Sequence, residues 1–207
     1  MAADIAHEET HAHPEHESTG VDNRKLGMWL FLSSEFLFFG ALITNYLLYS
    51  NRPGFSIYPR EIYDIPFTSV SSFVLLMSSL TMVLAHNALS RDDQPQARTW
   101  LFATAALGSV FLAGQVFEFT EFVVHYDMSL TTNPVASAFY LLTGFHGTHV
   151  AIGVIMLLSL WGISRSRGRL SEHKGMNLEL VGLYWHFVDI IWIVIFTVVY
   201  LIDAARV

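Results

Sequence analysis

Five stretches of this chain, at about 26–49, 68–90, 98–124, 135–163 and 178–203, are apolar for long enough to cross a bilayer, which takes about 20 mostly apolar residues. Backbone polar groups find no water inside the hydrocarbon layer, so a crossing segment must satisfy them internally, as a helix does. This predicts an all-α fold: a polytopic membrane bundle of five transmembrane helices. Composition agrees, since 14% of the 207 residues are charged, against about 25% in soluble domains. The first 25 residues are polar and lack the apolar core of a cleavable signal, so none is expected. There is no cysteine, which excludes disulfides, iron–sulfur clusters, cysteine zinc sites and c-type haem attachment. The formal charge of −7 owes much to an acidic tail and points to no nucleic-acid partner.

Two domains are expected: a polar tail over 1–25 and a five-helix membrane domain over 26–207. The tail carries His7, His11, His13 and His16 among acidic residues and has no basic residue before Arg24. Such a composition cannot bury a core, so disorder is expected. Between the first two spans, Pro53, Gly54, Pro59 and Pro66 predict a connection that interrupts the helix.

The second span places Ser72, Ser79 and His86 seven apart, a polar seam of the kind that packs membrane helices. Basic residues set the orientation. With the loop 164–177 inside, Arg24, Lys25, Arg91, Arg98, Arg165, Arg167, Arg169 and Lys174 are all cytoplasmic, leaving Arg52, Arg60 and Arg206 outside. That asymmetry follows the positive-inside rule and predicts a cytoplasmic N-terminus and an external C-terminus.

Several polar residues stand inside the apolar spans. Glu35 shares a helix face with Phe31, Phe38, Phe39 and Leu42. Facing lipid, its carboxylate would cost about 2.5–3.5 kcal/mol. It must therefore meet another helix, a lipid headgroup or water, or keep its proton. Gln115, Glu118, Glu121 and His125 fall within about 120° on the third span. His146 and His149 share a face of the fourth with Leu142, Gly153 and Met156. The opposite face, Gly144, Gly147, Thr148 and Ala151, is a small-residue stripe suited to close packing. On the fifth span Glu179, Gly182, His186 and Asp189 share a face. An acid near a helix start is favoured by the helix dipole, which accounts for Glu179 without a function.

Three classes of function fit such residues. A dihaem cytochrome needs axial histidines paired across helices at matching depth, and His146 and His149 are one turn apart. A di-iron site uses Glu-x-x-His on two helices, whereas Glu121 and His125 are four apart and have no second copy. A metal held by His146, His149 and His186 has no recognised spacing behind it. A transporter could route protons or ions past Glu35, Glu118, Glu121 and Asp189, although no inverted repeat or Gly/Pro-broken helix pair accompanies them. A structural subunit would use the same residues to bind lipid and neighbouring chains. Composition leaves the last two open.

Four blocks resemble the signature stretches of subunit III of the haem-copper terminal oxidases, in that family's order. They are Trp29-Leu-Phe-Leu-Ser-Ser-Glu35-Phe-Leu-Phe-Phe-Gly40, Gly114-Gln-Val-Phe-Glu118-Phe, Thr143-Gly-Phe-His146-Gly-Thr-His149-Val-Ala-Ile-Gly153 and Tyr184-Trp-His186-Phe-Val-Asp189-Ile-Ile-Trp192. Five spans are similar to the short bacterial form that lacks the first two helices. The resemblance implies a non-catalytic subunit without haem or metal, multi-pass in the bacterial cytoplasmic membrane. Its partners would be subunits I and II, which carry the haem and copper, together with membrane phospholipids.

The resemblance further implies a lipid cleft between the first helices and the rest, with roles in proton uptake and oxygen access. Glu35 becomes the carbodiimide-reactive carboxylate of that cleft. Gln115, Glu118, Glu121, His146, His149, His186 and Asp189 become a buried polar network, and Gly144, Gly147 and Ala151 the close-packing positions. Glu35 followed by Phe36-Leu37-Phe38-Phe39 looks like the cytochrome c oxidases. A ubiquinol oxidase is the alternative.

Overall fold

A computed structural model describes residues 22–50, 64–167 and 172–202. The described residues form five long helices: α1 (Asn23–Ser50), α2 (Ile65–Ser90), α3 (Gln94–Tyr126), α4 (Pro134–Arg167) and α5 (Glu172–Ile195). The last continues as a π-helical segment, Phe196–Ile202. All five are long and apolar enough to cross a membrane. The tail histidines, residues 51–63 with Pro53 and Pro59, and residues 168–171 with Arg169 lie outside the described residues.

Polar flanks cap the starts of α2, α3 and α4. Before α2, Asp64 accepts a hydrogen bond from the Phe67 amide at 3.1 Å. Before α3, Asp93 does the same for Gln96 at 3.1 Å. Before α4, Asn133 accepts from Ala136 at 2.7 Å. Each cap satisfies an amide that has no partner within its own helix. A proline follows within two residues each time, at Pro66, Pro95 and Pro134. In a first turn its missing N–H costs nothing. Pro66 thus belongs to α2 instead of interrupting it. α1 starts at Asn23, inside the stretch assigned to the tail, with the Arg24 amide donating to Asp22 at 2.8 Å. α3 ends where Asp127 turns left-handed at φ 49°.

α2, α3, α4 and α5 close a ring, each against the next and α5 back on α2, while α1 leans on α4 and α5. The helices are apolar all round, so burial follows size and polarity. Inward positions of α2 are Thr68, Ser72, Leu75, Ser78, Met82, Ala85 and Ala88. Those of α3 include Ala97, Thr104, Ala105, Gly108, Gln115 and Glu118. Large aliphatic and aromatic side chains such as Val70, Phe73, Val116 and Phe117 face outward. Lipid rewards this arrangement, since small residues let backbones approach and buried hydroxyls bond across helices. The fully buried Trp185 sits between Gly108 and Gly153. α1 commits least, burying Leu32, Phe39 and Tyr46, spaced seven apart, while Leu37 is 72% exposed.

Candidate functional site

The histidine pair of α4 divides between two neighbours. His146 is fully buried. Its Nε2 lies 3.2 Å from the Val188 carbonyl of α5, and its ring packs on Trp192 at 4.7 Å and edge-on to Phe111 at 5.9 Å. Among the described residues its Nδ1 has no partner. His149, one turn on, faces α1. Its Nδ1 donates to the Phe145 carbonyl at 2.7 Å, and its Nε2 lies 3.2 Å from Glu35 Oε2. Phe39 meets the His149 ring edge-on and Tyr184 stacks on it. The Tyr184 hydroxyl donates to the His149 carbonyl at 3.0 Å. Residues three apart are about 60° apart around a helix, enough here to put one histidine in the core and the other on α1.

Glu35 therefore meets another helix, one of the solutions open to a membrane carboxylate. Phe31 stacks on Tyr184 and Phe38 meets Phe145 edge-on, so the aromatic face of α1 is the face that docks. The Glu35 side chain is 19% exposed.

Glu118 is buried at the end of the bundle where α2 starts. The Thr68 hydroxyl donates to its Oε1 at 2.8 Å and the Tyr200 hydroxyl to its Oε2 at 3.3 Å. The carboxyl thereby joins α2, α3 and the π-helical end of α5. One turn back, Gln115 Nε2 donates to the Thr143 carbonyl of α4 at 2.7 Å, and its Oε1 has no partner among the described residues. Glu121 is half-buried and His125 exposed as α3 emerges from the ring. Glu121 makes no hydrogen bond among the described residues.

Between α2 and α5 runs a ladder. Trp192 Nε1 donates to Ser72 at 2.9 Å, Trp185 Nε1 donates to Ser78 at 3.0 Å, and His186 Nδ1 lies 2.7 Å from the Ser79 hydroxyl. Asp189 is buried, and among the described residues neither carboxyl oxygen has a hydrogen-bond partner of standard geometry. The Ser79 hydroxyl beside it is shared with His186. The expected single network thus resolves into separate clusters: Glu35–His149, Gln115–Thr143, Glu118–Thr68–Tyr200 and Ser79–His186–Asp189. Helical periodicity puts polar groups on one face, but each then meets whichever helix stands opposite at its own level.

The close-packing positions also differ from expectation. A Cβ on Gly147 would stand 2.5 Å from Gln115 Oε1, so a larger residue there would push the Gln115 amide from its place. Nothing lies within 4 Å of a Cβ at Gly144, and Ala151 is half-buried. The tight contacts fall at Gly108 and Gly153, where a Cβ would come 2.5 Å and 2.7 Å from the Trp185 ring. Gly153 was legible as a residue on the histidine face, but its large partner 32 positions away was not. Glu179 owes its place to a partner as well: α5 starts at Glu172, so Glu179 is beyond the first turn, and it pairs with Lys25 of α1 at 2.7 Å.

Where α1 stands off from α5 there is a cleft of about 560 Å³, walled by Trp29, Phe36 and Leu37 on one side and Leu183, His186 and Phe187 on the other. Glu35 is not among its lining residues, because its face of α1 is turned to α4. A smaller hollow of about 180 Å³ between α2 and α5 includes His86 and Glu179, and shares Leu183 and His186 with the cleft. Among the described residues, no group of three or more His, Asp or Glu is placed to hold a metal ion.

Known proteins identify this arrangement. The family model described as cytochrome c oxidase subunit III matches residues 1–204. A protein named cytochrome c oxidase subunit 3 from Synechocystis sp. is 40% identical over 94% of this chain and 80% of its own length. One of the same name from Thermostichus vulcanus is 37% identical over 96% of this chain and 93% of its own. A probable quinol oxidase subunit 3 from Staphylococcus saprophyticus is 33% identical over 90% of this chain and 96% of its own. The similarity spans α1 to α5 with the blocks around Glu35, Glu118, His146 and His186, and on that basis the chain belongs to the cytochrome c oxidase subunit III family.

Proposed function

We propose that this chain is the non-catalytic subunit III of a cytochrome c-type haem-copper oxidase in a bacterial cytoplasmic membrane. It stands beside subunits I and II, which hold the haem and copper. Its α1–α5 cleft takes phospholipid, and it supports proton uptake and oxygen access during reduction of oxygen to water. The N-terminus is cytoplasmic and the C-terminus external, as the distribution of Lys and Arg favours.

The observation that carries the cytochrome c reading is the level of similarity: 34–40% to the cytochrome c oxidase subunits, against 32–33% to the quinol oxidase subunits. The run Phe36-Leu37-Phe38-Phe39 after Glu35 supports the same side. A cleft open between two membrane helices and apolar over nearly its whole wall supports the lipid reading.

Purification of the complex through a tag on this chain, followed by oxygen uptake with reduced cytochrome c or a quinol as sole donor, tests the assignment. Uptake with cytochrome c is expected. Uptake with quinol alone would place the chain in a quinol oxidase. Recovery of the chain without haem-bearing subunits would remove the oxidase reading of its role.

A further inference from the structure

The α1–α5 cleft has two hydrogen-bonding side chains besides the Trp29 indole: Ser33 and His186. The Ser33 hydroxyl turns back onto its own helix and donates to the Trp29 carbonyl at 2.8 Å. His186 is differently placed. Ser79 holds its Nδ1 from behind at 2.7 Å, while its Nε2 has no hydrogen-bond partner among the described residues. The ring lines both the cleft and the adjoining hollow.

Depth makes this nitrogen unusual. His186 stands midway between Glu172 and Ile202, so at about 1.5 Å per residue each end of the rod is on the order of 20 Å away. The hydrocarbon layer is about 30 Å thick, and Glu179, in its half-exposed pair with Lys25, precedes His186 by seven residues, or about 10 Å, so the ring stands well inside the layer. Phospholipid ester oxygens stay at the edge of that layer, about 15 Å from the midplane. An acyl chain reaching His186 offers no hydrogen bond, and a polar nitrogen left unpaired in an apolar medium is costly. The complementary ligand is a neutral molecule that carries a hydrogen-bonding oxygen into the hydrocarbon.

We propose that the α1–α5 cleft binds a membrane quinone or quinol, its ring among Trp29, Phe36 and Phe187 and one ring oxygen hydrogen-bonded to His186 Nε2. Either state of the imidazole is served: a quinone oxygen accepts from Nε2–H, and a quinol hydroxyl donates to a bare Nε2. The flat ring suits three aromatic walls. A cleft of about 560 Å³ lies within the range of small-molecule sites, mostly apolar with a few placed polar groups. The inference concerns binding and assigns no electron transfer. It rests on the reading that this cleft admits amphiphiles from the bilayer, and it names the one that His186 selects.

The test uses the assembled complex in phosphatidylcholine nanodiscs, photolabelled in parallel with a radiolabelled azido-quinone and a photoreactive phosphatidylcholine. The expected result is azido-quinone on peptides covering 29–37 and 183–190, displaced by decylubiquinone. His186→Leu should lower labelling about tenfold, the loss of one hydrogen bond in a dry site. Phe36→Trp, at a position 64% exposed where the larger ring displaces no buried side chain, should lower it by narrowing the cleft. Phosphatidylcholine on these peptides without azido-quinone would overturn the quinone and leave the lipid reading standing. Neither label there would overturn both. Quinone labelling unchanged in both variants would overturn the role given to the cleft and His186.

Discussion

Trp185 shows what single residues decide in this molecule. Its indole N–H is paired with Ser78 and its ring is held between two glycines, so methyl groups at Gly108 or Gly153 have no room. Gly153→Ala should destabilise the bundle by about 1–3 kcal/mol, the usual range for overpacking. Gly144→Ala meets open space and should change stability by less than about 0.5 kcal/mol in the isolated chain. Thermal unfolding of the two variants in one detergent checks the contrast. Glu118→Ala removes the carboxylate to which the Thr68 and Tyr200 hydroxyls donate, while Thr68 keeps its bond to the Asp64 carbonyl at 3.0 Å, so a loss of about 1–3 kcal/mol is expected. The same measurement applies, and an unchanged midpoint would contradict the three-helix tie. At Glu35 the expected outcome is chemical: carbodiimide labelling of the complex that disappears in Glu35→Ala. Labelling that persists in this variant would mean that another carboxyl reacts.

Helices meet here in two different ways. α5 is fastened to α2 by three serine contacts, to Trp192, Trp185 and His186. Replacing Ser72, Ser78 and Ser79 together by alanine strands two indole N–H groups and a ring nitrogen. The variant should assemble poorly, whereas each single change should cost about 1 kcal/mol. Blue-native electrophoresis of the complex would read both. His186→Ala and Asp189→Ala should likewise weaken assembly more than turnover. A variant that assembles normally but loses all oxidase activity would point to a catalytic role instead.

α1 is fastened lightly, by the Glu35–His149 contact, an aromatic face and the half-exposed pair Lys25–Glu179. Exposed pairs contribute about 0–1 kcal/mol, so Lys25→Ala should leave α1 docked, while Glu35→Ala should loosen it. Cross-linking of cysteines introduced at Phe38 and Phe145, which touch in the structure, would separate the two cases.

The molecule as a whole is a ring of four helices with a fifth at its side, and it displays large apolar side chains on nearly every outer face. Such a surface suits lipid and neighbouring subunits alike. The chain purified away from its partners is expected to show no Soret band and no stoichiometric iron or copper. A haem or an equivalent of metal bound at His146, His149 or His186 would refute its role as a subunit without redox groups.

Much of this was readable from the chain. The number of spans follows from apolar length alone, because the bilayer requires satisfied backbone and a set thickness. Helix starts are legible too, in the Asp/Asn-plus-Pro pairs that put Pro66, Pro95 and Pro134 in first turns. Family membership lay in the four blocks, since each combines polar and aromatic residues that an apolar span would not otherwise need. Partnership was decided only in three dimensions. Gly144 and Gly147 are equally small, yet only Gly147 meets a neighbour. Glu35 belongs by sequence to a cleft-forming helix, yet its carboxylate finds His149 on α4. His146 and His149 share a helix face and part ways in the fold. Periodicity reports the direction in which a side chain leaves its own helix, while the helix standing there is set by how all five pack together.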